Sequence, residues 1–131
     1  MSDNFDFKDY NRIARQLAGQ GVDQNPAQDS KLRSSISRAY YAAFLTARKF
    51  LSLDRTIPRD RVHEFVHDEL SKMTGKLKIA GQDLRTMKFK RHAADYDDEI
   101  IDLPNITNSI LTKSSSVIFT VNYETQKHTP P

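Results

Sequence analysis

Apolar residues recur along this chain at three- and four-residue intervals, the spacing that gathers them on one side of an α-helix. Phe5, Phe7, Tyr10, Ile13, Ala14 and Leu17 form the first such stripe. Asp3 or Asn4 is placed to cap its start, and Gly19 and Gly21 to stop it. The polar segment VDQNPAQD reads as a loop because of its Asn-Pro step. A long second helix is expected from Asp29 or Ser30 to Leu53, with Leu32, Ile36, Ala39, Tyr40, Ala43, Phe44, Ala47 and Leu51 as one continuous stripe. After the loop DRTIPRD, the positions of Val62, Phe65, Val66, Leu70 and Met73 predict a shorter third helix, closed by Gly75. Leu77, Ala80, Leu84, Met87, Phe89 and Ala94 predict a fourth, running through Tyr96. Gly81 weakens that helix near its start, by about 1 kcal/mol relative to alanine.

The last segment carries two patterns. Pro104 suits a first helical turn, and Ile106, Ile110, Val117 and Val121 keep helical spacing. Val117, Phe119, Val121 and Tyr123 also alternate as a strand would. Helix is the favoured reading, because a lone strand leaves its backbone groups unpaired. The sum is an all-α, largely antiparallel bundle of about five helices. It is read as a single domain over residues 1–125, with a flexible tail over 126–131.

Composition narrows the function classes. A chain of 131 residues suits one domain with one core. It has no cysteine, which excludes a disulfide framework and any Cys-based zinc or nucleophile site, and fits a cytoplasmic protein. The acidic start MSDNFDFKDY has no basic and apolar leader pattern, so no signal peptide is expected. No apolar run approaches the roughly 20 residues that span a bilayer, so no membrane partner is expected. No glycine-rich phosphate loop occurs, and no cofactor is expected.

The net charge of +3 permits a nucleic-acid partner without requiring one. Its distribution says more. Lys72, Lys76, Lys78, Arg85, Lys88, Lys90 and Arg91 crowd one segment that holds a single acid, Asp83. Asp95, Asp97, Asp98, Glu99 and Asp102 follow at once. Such neighbouring blocks suit two solvated faces, or a phosphate-attracting surface whose cations the acids pair and orient.

Two stretches carry the candidate chemistry. In SRAYYAAFLTARKFL, residues 37–51, helical geometry puts Tyr40, Ala43, Phe44 and Ala47 on one face and Arg38, Tyr41 and Leu45 beside it. Tyr40 reads as a core aromatic whose hydroxyl needs a polar partner at the edge. Arg38 needs an acid or a phosphate, because it borders an apolar seam. In KRHAADYDD, residues 90–98, Arg91 and Asp95 are four apart, as are His92 and Tyr96. Asp95 then either pairs with Arg91 on its own helix or reaches across to Arg38. His63 and His67, with Glu64 between them, match H-E-x-x-H spacing, but no third ligand is spaced to complete a site, and no metal is expected. Ser114, Ser115 and Ser116 read as a polar helix face or a kink.

LRSSISRAYYAAFLTARKFL, followed by LRTMKFKRHAADYDD, resembles the HEPN domain proteins, specifically the small prokaryotic type with an R-x-YYA-F helix and a later R-x-x-ADY element. VHEFVHDEL, with His63, sits where those proteins carry a His-led third helix. The resemblance spans Leu32 to Asp98 and implies an all-α bundle that dimerises with a second copy. Many relatives are metal-independent endoribonucleases that act as toxins beside a nucleotidyltransferase antitoxin, or in defence systems. Others bind nucleotides or nucleic acid, or serve as inactive subunits. The family's ribonuclease signature is an arginine followed, after four to six intervening residues, by a histidine. By resemblance, Arg91 is the motif arginine, with His92 next to it and Tyr96 where histidine is usual. Arg85 to His92 is a second alignment that fits the spacing. The implied catalytic residues are Arg91, His92 and Tyr96, and the implied RNA contacts Arg38, Arg85, Lys88 and Lys90. Asp95, Tyr40 and Tyr41 have structural or orienting roles.

Overall fold

The computed structural model describes residues 26–52 and 57–127. Four helices occupy them: α1 (Pro26–Leu51), α2 (Arg59–Ser71), α3 (Gly75–Tyr96) and α4 (Leu103–Lys127). No strand occurs among the described residues. The helix expected over Phe5–Leu17 lies outside them, so the bundle of about five helices is seen as four that pack together. Segment 117–123 is helical, as favoured, and α4 continues through Gln126 and Lys127, past the expected start of the tail.

The α1 helix begins earlier than the Asn-Pro step suggests. Pro26 is its first residue, where proline's fixed φ suits a helix and its missing N–H costs nothing. Gly75 starts α3 with φ +66° instead of ending α2. Asp102, at φ +63°, opens α4, and its carboxylate accepts from Asn105 Nδ2 at 2.8 Å. The negative charge there complements the helix's positive end.

The α1 stripe forms the centre of the core. Ile36, Ala39, Tyr40, Ala42, Ala43, Phe44 and Ala47 are all buried. The small residues let α4 lie close along α1, packing Ile110, Val117 and Val121 into the shared core. A hydrogen bond crosses this seam: the buried Ser114 Oγ donates to the Ala39 carbonyl at 2.7 Å. Ser114 is thus an inter-helix tie, not an exposed polar face.

Helix α3 packs on α1, α2 and α4. Its close contact with α2 depends on Gly81. A Cβ at Gly81 would stand 2.7 Å from Ser71 Oγ, 2.8 Å from Ser71 N and 2.9 Å from the His67 carbonyl. The residue that weakens α3 locally is what lets α2 sit against it.

One tie between α1 and α3 involves Arg33. Its guanidinium donates to the Ala94 carbonyl at 3.0 Å, to Asp97 O at 2.6 Å and to Asp98 O at 3.1 Å, while Nε pairs with Asp29 at 2.8 Å. Carbonyls left open at the end of a helix thereby gain a cationic partner. The end of α3, with Arg91 and Asp95 on its last turns, is fixed against α1.

Candidate functional site

Three helices meet around Tyr40. Its hydroxyl lies 2.7 Å from His63 Nδ1 and 3.0 Å from His67 Nε2, both on α2. The His63 ring stacks on Phe44 with centroids 4.0 Å apart and meets Tyr41 edge-on at 6.1 Å. His67 is buried at 1% exposure, whereas His63 is half-buried. The four-residue spacing that suggests a shared metal instead brings two rings to one hydroxyl. Among the described residues, no group of three or more metal-ligating side chains is placed to hold an ion.

Arg91 approaches the same cluster from α3. Its guanidinium carbon is 4.6 Å from the centre of the Tyr41 ring and 5.8 Å from that of Tyr40. This is cation–π geometry, which fixes the plane of the guanidinium. Asp95 Oδ2 is 3.6 Å from Arg91 Nε. That gap allows charge attraction but is too long for a hydrogen bond. The Nε is buried and has no hydrogen-bond partner. Asp95 pairs with Arg91, not with Arg38, whose Nε reaches Ser34 Oγ at 3.4 Å. The expected cross-helix tie is made by Arg33 instead, because Arg38 stands on the exposed side of α1.

The electrostatics follow from burial and from the basic block. Burial is the main cause that lowers His63 from 6.5 to about 4, helped by Lys88, Arg91 and Arg48. His67 falls to about 4 as well, again mainly by burial, then by Lys88, His63 and Arg85. Burial pushes the Tyr40 hydroxyl up, against the pull of Arg91. At neutral pH the centre therefore holds two neutral imidazoles and a neutral phenol, ringed by Arg48, Lys88 and Arg91.

These shifts give a stability prediction. Between pH 6.5 and about 4 the folded chain binds fewer protons at His63 and His67 than the unfolded chain does. Their contribution is complete above 6.5 and is lost as pH falls to about 4. Denaturation midpoints should decline through that window, and a flat profile would contradict the buried, neutral pair.

The other candidate residues are spread over the surface. His92 and Tyr96 pair with each other, ring centroids 4.7 Å apart, and Tyr96 is 73% exposed. Within one chain neither ring joins the Tyr40 cluster. Arg85 is held by an ion pair with Asp68 of α2. Lys88 is half-buried beside the histidines, whereas Lys90 lies near the exposed Phe89 and lines a groove with Ile36, Ile100 and Ile106. The basic block is thus divided between two faces, and one of them holds Lys88 and Arg91.

Reading along the chain missed two parts of this arrangement. The Tyr40 hydroxyl was expected to need a polar partner, and the His63–His67 pair was visible, but nothing in the sequence joined them. Arg33 was not singled out, although it stands five residues before Arg38 and its partners lie around the acidic block.

Comparison with protein-family models, with curated proteins and with solved structures finds no match for this chain. No helix among the described residues is long and apolar enough to cross a membrane.

Proposed function

We propose that this chain is a HEPN-like RNA-binding protein in which Arg91 holds a backbone phosphate, and that it serves a prokaryotic toxin–antitoxin or defence system as a metal-independent endoribonuclease. The observation that carries this reading is the state of Arg91. Its guanidinium is fixed on the Tyr41 ring, its Nε lacks a hydrogen bond, and Lys88 and Arg48 act on the same cluster. A guanidinium preset on an aromatic face suits the paired oxygens of a phosphate. The reading takes a second copy of the chain as one partner and a nucleotidyltransferase antitoxin as another.

A non-catalytic module that binds RNA or nucleotide is the second reading. It is favoured by His92 and Tyr96, which pair with each other and stay outside the Arg91 cluster.

Fluorescence anisotropy with a short single-stranded RNA tests the shared claim. Affinity should fall steadily as salt rises, because phosphate contacts release counterions. Arg91→Ala should weaken binding about tenfold, the size of one charge-assisted hydrogen-bonded contact. Unchanged affinity in the variant would refute the role of Arg91.

A further inference from the structure

One hydroxyl proton cannot satisfy two acceptors. Tyr40 must donate to one imidazole and accept an N–H from the other. When it donates to His67 Nε2 and accepts from His63 Nδ1–H, the lone pair of His63 lies on Nε2. That nitrogen belongs to the half-buried ring and has no hydrogen-bond partner among the described residues. A proton arriving there leaves every other hydrogen bond of the cluster in place.

We propose that His63 is the catalytic proton acceptor of this site, acting on an RNA 2′-hydroxyl beside the phosphodiester held by Arg91, with Tyr40 and His67 as its positioning residues. This rests on the RNA reading of Arg91 and moves the acid–base role from His92 to α2.

The chemistry balances without a further reactant. His63 Nε2 takes the 2′-hydroxyl proton as the 2′-oxygen bonds to phosphorus. The bond from phosphorus to the 5′-oxygen breaks on the opposite side, where the departing oxygen is protonated by solvent water, and His63 returns its proton to the solvent. The products are a 2′,3′-cyclic phosphate and a 5′-hydroxyl. Arg91 stabilises the charge that grows on the phosphoryl oxygens.

The surroundings make His63 responsive to its substrate. From α1 it meets Tyr40, Tyr41 and Phe44, and the charge of Arg48. From α3 it feels Lys88 and Arg91, with Asp95 beside Arg91. On its own helix, His67 shares the Tyr40 hydroxyl and the exposed Glu64 is adjacent. While the site is empty, burial and the three cations keep the ring neutral. A bound phosphodiester offsets those cations and raises the basicity of the ring in the occupied site, where the proton must be taken up.

The test pairs an RNA-cleavage assay with the anisotropy measurement. The wild type should cut single-stranded RNA to 2′,3′-cyclic ends, and a strand with 2′-deoxyribose throughout should be bound but left intact. His63→Asn should slow cleavage about a hundredfold or more, as expected for a lost general base, with RNA affinity near that of the wild type. Tyr40→Phe should slow it less and move the acid limb of the pH–rate profile, which a packing role alone would not do. Free imidazole should restore part of the rate to His63→Ala. If His63→Asn fails to fold, NMR titration of the wild-type His63 ring is decisive: its midpoint must rise when the 2′-deoxy strand is added. A wild-type rate in His63→Asn, or an unmoved midpoint, overturns the proposal. RNA that is bound but never cut also overturns it and leaves the Arg91 reading standing. Absence of any RNA binding removes both.

Discussion

Tyr40→Phe should lower the stability of this protein by about 2–4 kcal/mol, because it orphans the buried His67 nitrogen at about 1–3 kcal/mol and the half-buried His63 nitrogen at about 1 kcal/mol. Phenylalanine keeps the shape of the ring and its contacts with Phe44 and His63, whose centroids are 5.8 and 5.6 Å away. Only the hydroxyl is removed. His67 is buried at 1% exposure, so water does not readily replace the lost partner. Chemical denaturation, analysed with an unchanged slope, measures the loss. A change below about 0.5 kcal/mol, the scale of ordinary surface substitutions, would mean that the hydroxyl does not hold the pair.

Gly81→Ala should destabilise by about 2 kcal/mol, although alanine is the better helix former by about 1 kcal/mol. The sign is what makes the test informative. Two of the three atoms within 3 Å of the added Cβ are backbone, Ser71 N and the His67 carbonyl, and neither can rotate aside. The methyl group must push α2 away from α3. Because His63 and His67 ride on α2, the displacement also loosens their bonds to Tyr40. A thermal midpoint that rises in this variant would show that the two helices are not packed this closely.

The elements with a regular apolar stripe were legible in the sequence. The second, third, fourth and fifth expected helices correspond to α1 through α4, and the Tyr40–Phe44 face is buried as helical geometry required. The boundaries shifted where a local signal had two uses. Pro26 can end a loop or begin a helix, and Gly75 can close α2 or open α3. The local cost of Gly81 is visible in the sequence, but a close approach between helices depends on the distance to another element, which no local pattern records.

The candidate site was legible in its parts more than in its assembly. Arg91 and Asp95 were seen to be one turn apart, and they do face each other. Charge alone allows Asp95 either Arg91 or Arg38, whereas the partner that α1 offers the end of α3 is Arg33, five residues before Arg38. That choice depends on the offset of α1 along α3, which is set by the packing of the whole bundle. The same offset brings His63 and His67 to Tyr40, so the spacing that resembles a zinc motif ends at a tyrosine.

The proposed function rests on phosphate capture by the Arg91 guanidinium, which is held on the Tyr41 ring. It is tested most directly by recording the arginine side-chain Nε–Hε signals by NMR while a 2′-deoxy strand is added. The Arg91 signal should shift at the lowest strand concentrations, with the His63 ring following. An Arg91 signal that stays in place while the exposed Lys76 and Lys78 carry all the changes would contradict it.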